Sequence, residues 1–184
     1  LSADAPQMQK PEIAKETIIL SGSCSAMTNA QVSEYIARGA PEYLLDPLSL
    51  IETGLDPVLA WLAEQDLTKA PLIYATAAPG NVKAAQRAIG VAKVGDLIEQ
   101  TLASCAIAAR DAGARRIIVA GGETSGAVTQ ALCVTQLDIG VEIASGVPWT
   151  FCHSAGHQIA LTLKSGNFGA PTFFHDAQAR LDNL

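Results

Sequence analysis

The stretch 118–128 reads IVAGGETSGAV: an apolar run breaks into Gly121-Gly122, meets Glu, Thr and Ser, and resumes after Gly126 as a helix-like pattern. Two other stretches share that grammar, SGSCSAMT at 21–28 and KSGNFG at 164–169, each following an apolar run. Glycine permits positive φ and lets a ligand approach without a Cβ in the way. The free N–H groups and dipole of a following helix attract anions, and Ser and Thr hydroxyls can add donors. Three such loops on one sheet edge point to a phosphate-bearing ligand lying across it.

Other chemistries fit less well. The chain has no G-x-x-x-x-G-K-[ST] run, and no G-x-G-x-x-G follows its first strand. GETSG at 122–126 imitates a nucleophile elbow, but Thr124 stands where a hydrolase needs serine. His153 and His157 in HSAGH have the spacing of a helical metal pair, yet Gly156 and the turn-like context disfavour a helix there. They read as surface or turn histidines, and His175 as a packing or solvated one. Glu123 favours a helix N-terminus through its charge; its functional alternative is contact with Mg²⁺ beside a nucleotide. Trp61 and Trp149 read as core or interface bulk, with Trp149 a residue that could border a ligand.

These loops need an alternating scaffold, and the pattern supplies one. Strands are expected at 17–23, 42–46, 70–78 (closed by Pro79-Gly80), 115–122, 137–143 and 157–167, with SGVPW at 145–149 as a turn. Helices are expected from Ser25 or Thr28 to Gly39, over 56–65 with Asp56 as cap and Pro57 first, over 94–109 before Gly113, from Gly122 to Val134, and over 171–184. Strand-helix alternation implies one α/β domain, a mostly parallel sheet with helices on both faces. Residues 1–15, with Pro6 and Pro11, read as a lead-in or linker before a domain over 16–184.

Composition narrows the partners. In 184 residues, 49% are hydrophobic and 16% charged, enough for one compact core. The formal charge of −6, without a basic run, argues against nucleic acid and membrane surfaces. Four scattered cysteines form no C-x-x-C and read as thiols of a reducing cytoplasm. The first residues lack a signal-peptide order and an initiator Met, so the chain is expected to be a piece of something longer.

Four stretches, GSCSAMTNAQ (22–31), GGETSGAVTQAL (121–132), IGVEIASGVPW (139–149) and LKSGNFGAPTFF (163–174), resemble the C-terminal nucleotide-binding domain of the four-carbon acid sugar kinases. That family phosphorylates 3-oxo-tetronate, threonate or erythronate with ATP. The resemblance implies ATP with Mg²⁺, a sugar-acid-binding N-terminal domain absent from this chain, and a possible homo-oligomer. It implies that Ser23 and Ser25 contact ATP, that Gly122, Glu123, Thr124, Ser125 and Gly126 wrap its phosphates, and that Gly166 closes the site. Lys164 could add positive charge there. TFCHSAGHQ (150–158) matches no motif of the family. The alternatives are a nucleotide-binding module without catalysis, and another α/β enzyme using a ligand such as a nicotinamide dinucleotide.

Overall fold

A computed structural model describes residues 12–75, 83–84, 86–87 and 89–183. Most of the expected lead-in, the end of the expected third strand and Pro79-Gly80 lie outside the described residues.

Three strands form the centre: β1 (Thr17–Ser21), β4 (Arg116–Ala120) and β7 (His157–Lys164). In β1 and β4 every residue is buried, as expected of parallel strands covered on both faces. Alternation assigns their side chains: Ile18, Leu20, Ile117, Val119, Ile159 and Leu161 enter one core, whereas Ile19, Ile118 and Ala160 enter the other. The first core is covered by α2 (Pro47–Thr53), α3 (Asp56–Ala63), α4 (Val91–Asp111) and α5 (Gly122–Ala131). The second is covered by α1 (Ala26–Ala37) and α6 (Phe173–Asp182).

With β2 (Glu42–Leu44), β3 (Leu72–Tyr74), β5 (Asp138–Ala144) and β6 (Val147–Ser154), the seven-stranded sheet runs β2-β3-β1-β4-β7-β6-β5. Pairing is parallel from β2 to β7 and antiparallel through β6 and β5. The expected α/β domain with a mostly parallel sheet is therefore the observed architecture.

Several expectations need correction. SGVPW is not a turn throughout: only Ser145-Gly146 turns, and Val147–Trp149 open β6. Pro148 is tolerated because it pairs with Glu142 where the β5–β6 register shifts. TFCHSAGHQ is the β6–β7 hairpin, closed by Ala155 (φ 49°) and Gly156 (φ 80°), both positive as a two-residue type I′ turn demands. His153 and His157 sit exposed on that hairpin, not on a helix. The strand expected over 157–167 ends at Lys164, and the one over 70–78 is limited to Leu72–Tyr74 among the described residues. Asp56 is the first residue of α3 rather than its cap, whereas Asp46 caps the unexpected α2 by accepting from Ser49 N–H. Trp149 is wholly buried and donates its indole N–H to Ala177 O at 2.8 Å, so it borders no ligand.

Candidate functional site

β1 hands the chain to α1 on one face of the sheet, and β4, its neighbour, hands it to α5 on the other. Such a reversal opens a crevice beyond the strand ends, where ligands of α/β sheets bind. The floor of this crevice is laced shut by backbone: Gly22 N–H and Ser23 N–H both donate to Ala120 O, at 3.0 and 3.3 Å.

All three glycine loops meet here. A Cβ on Gly22 would lie 2.1 Å from Thr124 Oγ1. One on Gly121 would lie 2.9 Å from the same oxygen and 3.2 Å from Ser23 N, and Gly121 also holds φ at 129°. One on Gly166 would lie 2.7 Å from Ser23 Oγ and 2.9 Å from Ser25 Oγ. Close approach, not turn geometry alone, thus requires glycine at 22, 121 and 166.

The two helix starts at this junction differ. α1 is capped: Ser25 Oγ accepts from Thr28 N–H at 3.2 Å. Ser25 Oγ also donates to Gly166 O at 2.5 Å, and Thr28 Oγ1 donates to the same carbonyl at 2.8 Å. Gln31 Nε2 donates to Phe168 O and Ala170 O at 3.0 and 2.9 Å, so α1 holds the whole 164–170 loop. α5 carries no side-chain cap. Its first internal bond runs from Ser125 N–H to Gly121 O (2.9 Å), leaving the N–H groups of Gly122, Glu123 and Thr124 ahead of it. Gly122 and Gly126, four residues apart and exposed, would each carry a Cβ into open space.

The expected site residues therefore take distinct places. Thr124 is 3% exposed and packs the junction. Ser125 Oγ donates to Gly121 O at 2.6 Å, and Ser25 is committed to its cap and to Gly166. Ser23 Oγ accepts from Ser25 N–H at 3.2 Å. Gly122, Glu123 and Gly126 face solvent.

Lys164 is wholly buried. Its ammonium donates to Thr28 Oγ1 (3.0 Å), Gly166 O (3.0 Å) and Ser165 O (3.2 Å), and lies 5.8 Å from the centre of the Phe173 ring. Burial pulls its pKa down to about 8.

Beside the crevice, under the first half of α4, lies a cavity of about 500 Å³, the size of a small-molecule site. Gly22, Val94 and Ile98 give its walls, and Asp96, Glu99 and Glu123 its acidic side. Burial raises the pKa of Glu99, reinforced by a hydrogen bond to Glu123 and by the charges of Glu123 and Asp96. A second cavity of about 490 Å³, lined by Glu142, Ser145, Asp176 and Arg180 among others, touches none of the glycine loops. Among the described residues no group of three or more His, Cys, Asp or Glu could hold a metal, and no helix is long and apolar enough to cross a membrane.

Sequence reasoning missed Thr28 as the hub between Lys164 and Gly166, and Glu99 as the partner of Glu123. α4 carries Glu99 on a helix whose spacing was legible, but nothing local tells which loop it meets.

The open α/β sheet carries an uncapped helix start among three glycine loops, where successive crossovers leave to opposite faces of the sheet, the place where ligands of such sheets bind. The chain belongs to the nucleotide-binding C-terminal domain family, whose family model matches residues 18–174. It is 46% identical over 173 residues to a 3-oxo-tetronate kinase of Pseudomonas fluorescens, covering 93% of this chain and 40% of that protein. A 3-oxo-tetronate kinase of Cupriavidus necator is 47% identical over 173 residues, with 93% and 39% covered. A solved Haemophilus influenzae protein superposes with a TM-score of 0.81 at 41% identity, covering 92% of this chain and 41% of that one. The chain spans about two fifths of the length of these relatives.

Proposed function

We propose that the chain is the ATP-binding part of a kinase that phosphorylates a hydroxyl of a four-carbon sugar acid, with residues 16–184 forming the nucleotide domain. The uncapped start of α5, ringed by the three close-packed loops, carries this reading. The curated relatives' names supply the substrate class.

The residues present fit a polyphosphate. N–H groups of Gly122, Glu123 and Thr124 point their positive dipole end outward, and the bare Gly122–Gly126 face admits bulky anionic oxygens. Ser23 adds a hydroxyl at the rim, while Ser25, Thr28 and Gly166 fix the opposite loop. Mg²⁺ bound by nucleotides takes one or two carboxylates besides phosphate oxygens, a demand that Glu123 with Glu99 can meet. ATP would supply the phosphoryl group. Such transfer depends chiefly on positioning and charge neutralisation, which these loops provide. The sugar acid, and the base that orients its hydroxyl, are assigned to the remaining length seen in the relatives.

Thermal unfolding of the chain with ADP or ATP, with and without Mg²⁺, against NAD⁺ and inorganic phosphate, tests the site. Adenine nucleotide at a hundred times its Kd adds about 2.7 kcal/mol, a shift of several degrees. A flat response to adenine nucleotides into the millimolar range, or a stronger one to NAD⁺, sinks the reading.

A further inference from the structure

Lys164 stands apart from every other cation described in the chain. It is completely buried, and among the described residues it forms no ion pair. All three acceptors around its ammonium are neutral, one hydroxyl and two carbonyls. A charge removed from water normally has an opposite charge beside it or loses its proton. Among the described residues no counter-charge pairs with it, and the ammonium lies directly behind the loop whose Gly166 backs Ser23 at the crevice.

We propose that Lys164 is a positioning residue whose missing counter-ion is the ligand's phosphate, so that binding draws a proton from solvent onto its amine. This rests on the nucleotide reading of the same crevice. With the crevice empty, desolvation alone acts on the amine and leaves it partly deprotonated in mildly alkaline solution. A phosphate held against the Gly166 loop favours the charged form, and the protonated amine in turn grips Gly166 O and Thr28 Oγ1 more firmly. Binding and protonation then promote each other.

Among the described residues the charged groups of the neighbouring elements are engaged with partners other than Lys164. Glu34 of α1 pairs with Arg38, and His175, its pKa lowered chiefly by burial, lies 3.7 Å from the Glu34 carboxylate. Asp182 pairs with Arg116 and Lys15, Asp176 accepts from Thr172, and Arg180 donates to Glu142 O. Glu123, Glu99 and Asp96 line the cavity under α4, and among the described residues none of them forms an ion pair with Lys164.

Calorimetric titration with MgADP in buffers of different ionisation enthalpy counts the protons. The unaltered chain should take up close to one proton per nucleotide near pH 9, where the nucleotide is fully ionised, and about a tenth of that near pH 7. Lys164→Met should take up none at either pH, and Lys164→Arg, whose charge is permanent, should bind without uptake. Binding by the unaltered chain without proton uptake near pH 9 overturns the proposal and leaves the nucleotide site standing. Uptake unchanged in Lys164→Met overturns it equally. Absence of MgADP binding at both pH values sinks the nucleotide reading together with this one.

Discussion

The hydroxyl of Thr124 occupies the space that a β-carbon on Gly22 would need; the two atoms would stand 2.1 Å apart. This contact locks the end of β1 to the start of α5. Gly22→Ala should therefore destabilise the fold by about 1–3 kcal/mol, the cost of overpacking a rigid site. Adding Thr124→Ala should return part of that loss, a coupling that urea unfolding of the two single variants and the double variant would quantify. Strict additivity would contradict the contact.

Gly126 offers a test of the proposed ligand face, because its side-chain direction is open. Gly126→Ala should raise stability by about 0.5–1 kcal/mol, the usual gain in an exposed helix interior. Gly126→Val should fold normally yet bind adenine nucleotide at least about tenfold more weakly, a loss of about 1.4 kcal/mol. Unchanged affinity in fluorescence or calorimetric titration would move the phosphates away from this face.

Glu99 gives an acid-side signature. Its pKa is raised in the folded chain, so the native state holds its proton at a pH where the unfolded chain has released it. Stability from this group is full below the ordinary carboxylate range and is lost as pH rises through the folded value. Glu99→Gln should abolish that decline and gain up to about 1 kcal/mol near neutrality, the scale of a partly exposed charge pair. Thermal melts from pH 4 to 7 on both proteins would show parallel curves if the carboxyls do not interact.

Lys164 acts in the opposite sense on the alkaline side. Its folded pKa, about 8 against an ordinary 10.5, means that the unfolded chain binds the extra proton between those values. Stability from this residue rises across that window, by roughly 3 kcal/mol at about 1.4 kcal/mol per pH unit. Burial also holds Cys105 up at about 12 and Cys152 at about 11, and these thiols lose stability as pH rises past their ordinary 9. Comparison with Lys164→Met isolates the lysine: the stability of the unaltered chain relative to that variant should rise from pH 8 to 10.5. A constant difference would mean that the amine is not desolvated.

Much of this scaffold was legible because it obeys local rules. TIILS and RRIIVA are apolar runs too continuous for an exposed strand, and Ser25 sits where a cap belongs. Legibility failed where tertiary context overrode a breaker. Pro148 suggested a turn, yet it lies in β6 at a point where the register shifts. At the site, the loops were legible from glycine spacing, whereas their mutual grip was not. The Ser25–Gly166 and Thr28–Gly166 bonds close separations of 141 and 138 residues, beyond any periodicity.

Those two bonds also fix when the crevice can exist. Gly166 follows β7, the last strand among the described residues, and that strand must dock beside β4 before its loop can reach α1. A growing or truncated chain ending before Lys164 would have the first two glycine loops and no third wall. Pairings of such long sequence separation form slowly, since loop closure precedes any reward. A nucleotide that needs all three loops would recognise only finished molecules: it would hold them closed by slowing their opening, while the rate at which new ones form would scarcely change.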